Sequence, residues 1–468
     1  MTVSACLWLG LFPLLPAVLK KLPFDFEIPW FDPPYLQKFA TYGTLTRDKW
    51  IIMFYLAAFT AVCFLADLAC RRVSRPRLLP LLCGAGLLLW IVISCLASPY
   101  PGSPWWIGTG RREGLAAQLC YFALFFMFAL SKVRRTPVLV AAGCGVLLFA
   151  AVVLFQRSGK NPLGLYPEPY SFENASYFQG TLGNVDMCSG YLVIVCGLFL
   201  SELVETLRAF FRPVPPSAEN GLPAAGASSG PVPEKRSGKL SGWMMPVFLL
   251  PLLILSVWLL FTMDVDSGVV ALAVLLVWTA VRFLPKKYRL PVLVLLLAAA
   301  LLLAWFWSGE SGPVFELHEM LHGRTRSDFG SGRVGIWNRT LAMLGEEGYL
   351  LTGTGADTFA MRFSDYQNRY ELAHPDTELI PDYYDSPHCE YLAMLVNSGI
   401  PALLSFLVLV AAGCFGIPVW RDGVLGYGVQ AFLSFSVCIL APMFWVILGL
   451  SLARPPDQNP REVRKPAA

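Results

Sequence analysis

Residues 290–306 read LPVLVLLLAAALLLAWF, an apolar run without a single charged side chain. RFLPKKYR precedes it at 282–289 and carries Arg282, Lys286, Lys287 and Arg289. A helix needs about 17–25 such residues to cross the hydrocarbon of a bilayer. In lipid a helix is the form in which such a segment satisfies its own backbone groups. Lys and Arg in short flanking loops mark the cytoplasmic end.

The same reading extends along the chain. Apolar runs at 4–19, 50–69, 78–97, 115–131, 137–155, 185–205, 243–262, 267–282, 400–420 and 424–449 join 290–306 to give eleven predicted spans. Of the 468 residues 56% are hydrophobic and 15% charged, whereas soluble domains carry about 25% charged residues. The expectation is an all-α polytopic membrane protein with about 11–12 transmembrane helices. RRVSRPR at 71–77 and KVRR at 132–135 fall on the same side as 282–289, which supports a cytoplasmic assignment for all three loops. Eleven spans leave the termini on opposite sides, while the basic tail reads as cytoplasmic; a twelfth helix or an external tail would each reconcile the two.

The predicted organisation is a front transmembrane group (1–206), a Pro-, Gly-, Ala- and Ser-rich cytoplasmic linker (207–241) that cannot bury a core, central helices (242–306), an extracytoplasmic loop (307–399), C-terminal helices (400–450) and a polar tail (451–468). The stretch 307–387 holds six basic and thirteen acidic residues. Its length marks it as functional, because structureless loops beyond about 12–15 residues are uncommon. Within it SGRVGIWNRTLAMLGEE predicts a helix with Val334, Trp337, Leu341 and Leu344 on one face, ended by Gly345 and Gly348.

Two classes of function are disfavoured early. The net charge of +4 gives no reason to expect nucleic acid as a partner. Eleven of the twelve cysteines lie in or beside apolar runs, Cys389 alone borders a polar loop, and no CxxC pair occurs. A disulfide framework is therefore not expected, and neither a metal nor another cofactor is called for.

Four polar clusters fall on the predicted outer face, where charge beside a span needs a reason. Gly110-Arg111-Arg112-Glu113-Gly114 places two arginines there, read either as snorkelling side chains or as forks for an anion. Gly180-Thr181-Leu182-Gly183-Asn184 precedes a span. Its Gly183 and Asn184 offer either an anion-binding helix start or a plain N-cap. Arg324, Arg326 and Arg333 gather ahead of Trp337 in an otherwise acidic loop, and Gly353 and Gly355 allow a tight turn. They suggest an anion pocket or pairing with loop carboxylates. The fourth cluster, Asp385-Ser386-Pro387-His388-Cys389-Glu390, sets His388 where the loop re-enters the membrane, ahead of a short helix bearing Leu392, Leu395 and Val396. His suits proton transfer near neutral pH. The remaining histidines, His318, His322 and His374, read as surface residues. Asn174-Ala175-Ser176 and Asn338-Arg339-Thr340 fit a glycosylation sequon that arises readily by chance.

Together GRVGIW (332–337), GTGADTF (353–359) and SPHCEYLAMLVNSGIPALL (386–404) resemble the signature region of the O-antigen ligase and polymerase superfamily. There an Arg-x-x-x-Trp segment leads through a Gly-x-Gly turn to a His that opens a helix ending in Gly-Ile. GTLGNVDMCSGYL (180–192) and GRREGLAAQLCY (110–121) are similar to further family elements. Two positions depart from the pattern: Cys389 stands where the family usually has Asn, and Val185-Asp186 where Pro-Asn is common. The resemblance implies a GT-C-like helical fold and a multi-pass protein of the plasma (inner) membrane. It further implies transfer of an oligosaccharide from an undecaprenyl-diphosphate-linked donor to a glycan, lipid or protein acceptor on the outer face.

On that reading Arg333, then Arg111 or Arg112, neutralise the leaving diphosphate. His388 orients or deprotonates the acceptor hydroxyl, or binds the diphosphate as a cation. Gly183, Asn184, Arg324, Arg326, Trp337, Gly353 and Gly355 contribute to substrate binding. A polymerase of the same superfamily is the near alternative. A flippase is expected to carry charge within its spans, and 243–262 and 290–306 carry none.

Overall fold

The computed structural model describes residues 1–15, 44–74, 77–161, 163–165, 180–211, 239–375 and 384–454. Among these residues every regular element is helical. In chain order they are α1, a helical run Thr2–Leu14; α2, Thr44–Ala69; α3, Leu78–Leu96; α4, Leu115–Ala129; α5, Arg135–Arg157; α6, Val185–Phe211; α7, Lys239–Thr262; α8, Asp266–Arg282; and α9, Lys286–Trp305. There follow α10, Pro313–Leu321; α11, Arg333–Glu347; α12, Phe359–Ala373; α13, Glu390–Cys414; α14, Pro418–Gln430; and α15, Ala441–Leu452.

The polytopic all-α expectation holds. Seven of the described helices, α2, α3, α5, α6, α7, α9 and α13, are long and apolar enough to cross a membrane, and α1, α4 and α15 are shorter apolar helices. The span predicted at 424–449 is instead two helices, α14 and α15, parted at residues 431–440. AFLSFSVCIL at these positions is as apolar as a span. Its Ala431, Phe435, Val437, Cys438, Ile439 and Leu440 are buried in protein, where non-helical backbone is tolerated at membrane depth. Of the predicted linker, 207–211 and 239–241 continue α6 and α7. The rest of it lies outside the described residues, as do 16–19 of the first span, the Asn174-Ala175-Ser176 sequon and most of the tail.

Helix α6 is the centre of the bundle, with 94% of its most apolar stretch buried against 6% for α9 at the edge. Small residues set its closest approach to α14. A Cβ on Gly197 would come within 2.6 Å of the Asp422 carbonyl oxygen, the small-residue packing common between membrane helices. Arg282, counted above among loop cations, is buried at the end of α8 in a fork with Asp422, at 3.1 and 2.7 Å. The last carbonyls of α1 are satisfied from outside the helix. Lys49 Nζ donates to Phe12 O at 3.0 Å and Pro13 O at 3.2 Å, and Thr181 Oγ1 donates to Pro13 O at 2.6 Å.

The loop between α9 and α13 holds α10, α11 and α12 and builds a second core. Ile336, Met343 and Leu344 of α11 meet Phe359, Phe363 and Tyr366 of α12 and Val396 of α13, with Leu392 and Leu395 packed against them. The buried face of α11 is rotated from the predicted one: Ile336 and Met343 point inward, while Leu341 is 54% exposed. The helix runs through Gly345 and ends at Gly348, which takes φ 82°.

Candidate active site

The GTG turn and the helix break at Gly399 form one joint. Gly399 interrupts α13 with φ 80° and ψ 178°, which leaves backbone groups on both sides without helical partners. The segment Tyr349–Gly355 supplies them. Thr354 N–H and Gly355 N–H donate to Asn397 O at 3.1 and 2.8 Å, and Ile400 N–H donates to Leu350 O at 2.8 Å. Ser94 Oγ adds a bond to Asn397 O at 2.8 Å. A Cβ on Gly353 would lie 2.3 Å from Asn397 O, and Gly353 and Gly355 take φ 69° and 108°. Both glycines thus serve close backbone approach.

From this joint the chain reaches Asp357, which organises the segment before α4. Its Oδ2 accepts N–H bonds from Gly110 at 3.3 Å, Arg111 at 3.0 Å and Glu113 at 3.1 Å. Successive backbone N–H groups of this kind make a nest for an anion. Burial nevertheless outweighs those donors and pushes the Asp357 carboxyl up to about 7. Burial likewise raises Glu113 to about 8, against the pull of its hydrogen bonds from Tyr121 and Ser436.

Held in this way, Arg111 donates to Asp385 Oδ1 at 2.8 Å, and both side chains are buried. The Arg111 guanidinium lies 3.3 Å from the centre of the Phe435 ring. On the same ring, His388 packs edge-on at 4.9 Å. His388 sits in a constrained turn: its φ is 52° and its N–H donates to Ser386 Oγ at 3.1 Å. Trp337 Nε1 donates to the Pro387 carbonyl at 2.9 Å, which ties the turn to α11. At the start of α11, Arg333 reaches Asp186 Oδ1 at 3.8 Å and donates to Gly330 O at 2.9 Å, and its Nε is buried with no hydrogen-bond partner among the described residues. Burial first, and then the charges of Arg111 and Arg333, push the His388 imidazole down to about 3. His388 is therefore neutral at physiological pH, with both arginines near enough to act on it.

The other candidates separate from this cluster. Arg324 forks onto Glu319 and Arg326 onto Asp328, all four on the exposed surface of the loop or close to it. Asn184 caps α6, its Oδ1 accepting the Asp186 N–H at 2.8 Å. Gly183, at φ 87°, lets the turn approach Leu45. The Arg112 guanidinium lies over Trp50 at 6.0 Å from the ring centre. His318 and His322 meet with tilted rings at 4.2 Å beside Trp305, and His374 stacks on Tyr370.

Four groups of the site were not singled out from sequence. Asp186 and Asp385 neutralise the arginines, Asp357 shapes the Arg111 segment, and Phe435 separates Arg111 from His388. The first three stood inside or beside quoted motifs. Phe435 was hidden in a run that reads as a span. Beside the cluster a narrow cavity of about 70 Å³ is lined by Arg111, Glu113, Asp357, Asp385, Glu390 and Phe435, among others.

Residues 251–407 match the family model described as O-antigen ligase. The matched stretch includes Arg333, Gly353, Gly355, Asp357, Asp385 and His388. Arg111, Asp186 and Phe435 lie outside it. No curated protein matches the chain.

Proposed function

We propose that this multi-pass protein is a member of the O-antigen ligase superfamily and moves an oligosaccharide from undecaprenyl diphosphate to an acceptor hydroxyl at the outer face of the plasma (inner) membrane. The observation that carries this reading is the gathering of Arg111, Arg333 and His388 at one site from three separate segments. Breaking a glycosyl–phosphate bond places growing negative charge on the diphosphate. Preorganised cations in a site shielded from water stabilise that charge, each donor contributing on the order of 10²–10³ in rate. Guanidinium forks match phosphate oxygens in geometry as well as charge.

Each arginine rests on an aspartate, Arg111 on Asp385 and Arg333 on Asp186. The donor diphosphate replaces those carboxylates as partner, so neither cation has to be held buried and unpaired before the donor arrives. His388, a neutral ring, presents one nitrogen to the acceptor hydroxyl and orients it. Arg111 and Arg333 are the groups we assign to the diphosphate. Trp337 holds the His388 turn, and Gly353 and Gly355 hold the loop against α13.

The test is an assay of purified protein with an undecaprenyl-diphosphate oligosaccharide. Glycan appearing on a separate acceptor supports ligase activity, glycan extended on the lipid diphosphate supports a polymerase, and lipid movement without turnover refutes transfer.

A further inference from the structure

We propose that the Asp385 carboxylate is the base that takes the proton from the acceptor hydroxyl. The proposal rests on the transfer reading above and adds the proton's destination.

In the step itself the acceptor oxygen forms a bond to the anomeric carbon of the glycan. The bond from that carbon to the phosphate oxygen breaks, and its electron pair leaves with the lipid diphosphate. The acceptor proton passes to Asp385. One proton gained by the carboxylate balances one negative charge gained by the leaving group, and the proton is lost to water before the next turnover.

The surroundings single out this carboxylate. His388 is too weakly basic to hold the proton, since burial and two nearby guanidinium groups oppose its charging. Asp357 is engaged by three backbone N–H groups. Glu113 accepts from Tyr121 and Ser436, and Glu390 from Tyr427 at 2.8 Å. Asp385 lies three residues before His388 in the turn that Ser386 closes. It lines the cavity, and its charge acts on His388. It therefore touches the cation assigned to the diphosphate and shares a turn with the residue that orients the hydroxyl.

The Arg111–Asp385 pair adds a coupling. While Arg111 rests on Asp385 at 2.8 Å, the guanidinium occupies the carboxylate oxygen that a hydroxyl would need. Diphosphate draws that cation toward itself, so the Asp385 oxygen is uncovered for the hydroxyl when the donor is in place.

The bland reading is that Asp385 only positions Arg111, and the two readings give different kinetics. The full-length protein is reconstituted with undecaprenyl-diphosphate oligosaccharide in vesicles of the host's envelope lipids, which supply acceptor hydroxyls. Release of undecaprenyl diphosphate is followed. Asp385→Asn keeps the shape and can still accept from Arg111. The expected result is a kcat loss of about 10²–10⁴-fold with the donor KM unchanged or lowered, since a neutral amide holds Arg111 less tightly. Asp385→Ala is then given sodium azide, a nucleophile with no proton to lose. Formation of glycosyl azide is expected, which also reports that the variant is folded and binds donor.

Wild-type kcat in Asp385→Asn overturns the proposal. So does a raised donor KM with no azide product, since that is the signature of a positioning residue. A wild-type protein that releases no undecaprenyl diphosphate overturns the transfer reading, and this proposal falls with it.

Discussion

Arg333, at the first turn of α11, faces Asp186, at the first turn of α6, across 3.8 Å. The contact joins the loop between α9 and α13 to the most buried helix of the bundle. The pair is partly exposed, so its worth to stability is about 0–1 kcal/mol. Its significance is the cation it keeps ready. Arg333→Ala is expected to abolish glycan transfer, and Arg333→Lys to lose most of it, because a point charge does not reproduce a planar fork. Membrane insertion and thermal unfolding in detergent should stay close to wild type. Asp186→Asn should lower the donor KM by freeing Arg333. A raised KM would show that the aspartate aims the arginine.

The buried neutral His388 makes stability depend on acid. Its folded-state pKa, about 3, lies below the ordinary value of 6.5. The stability it contributes is complete above pH 6.5 and is lost as pH falls from there toward 3. The loss is on the order of a few kcal/mol if the site stays closed. His388→Gln should flatten this acid limb in thermal melts recorded from pH 7 to pH 4, and should abolish transfer at every pH. An unchanged acid limb would mean that the ring is solvated.

Glu113 gives the opposite slope. Its folded-state pKa, about 8, lies above the ordinary 4.5, so its favourable contribution is complete below pH 4.5 and is lost as pH rises through 8. Glu113→Gln retains an oxygen for Tyr121 and removes the ionisation. Melting temperatures of the variant and wild type should converge near pH 5 and separate toward pH 9, with the variant the more stable. A difference that does not vary with pH would place the effect in packing.

Backbone fit predicts two opposed glycine substitutions. A Cβ on Gly399 would lie 2.0 Å from the Leu351 carbonyl, at φ 80°. Gly399→Ala should therefore destabilise by about 2 kcal/mol or more. Gly345, within α11, has nothing within 4 Å of such a Cβ. Gly345→Ala should stabilise by about 0.5–1 kcal/mol. Chemical denaturation of the two variants in one detergent decides the comparison.

Arg324→Ala and Arg326→Ala should leave transfer within about twofold of wild type, as surface ion pairs contribute little. A tenfold loss in either would extend the donor site onto the loop surface around α10.

The sequence made the membrane architecture legible because hydrophobic length is a local property. Runs such as 290–306 and the basic segments beside them are read residue by residue. The break of α13 was legible for the same reason, Gly399-Ile400-Pro401 following a short amphipathic turn. Pairing was not legible. Nothing local in GRREG indicates that Arg111 meets Asp385, 274 positions away, or that three of its N–H groups enclose Asp357. Residues 431–440 misled for a related reason. Hydropathy is the same for a side chain facing lipid and one facing protein, so a buried loop that contributes Phe435 and Ser436 to the site reads as part of a span.

The joint at Gly399 bears on how this molecule is assembled. The carbonyl of Asn397 and the amide of Ile400 find their partners in Tyr349–Gly355, and those partners emerge from the ribosome before α13 does. The backbone groups at the break of that helix are thus satisfied once the 349–355 segment has docked on it. A chain lacking 349–355 would leave the Ile400 amide without its partner, a cost of several kcal/mol for a backbone group in hydrocarbon.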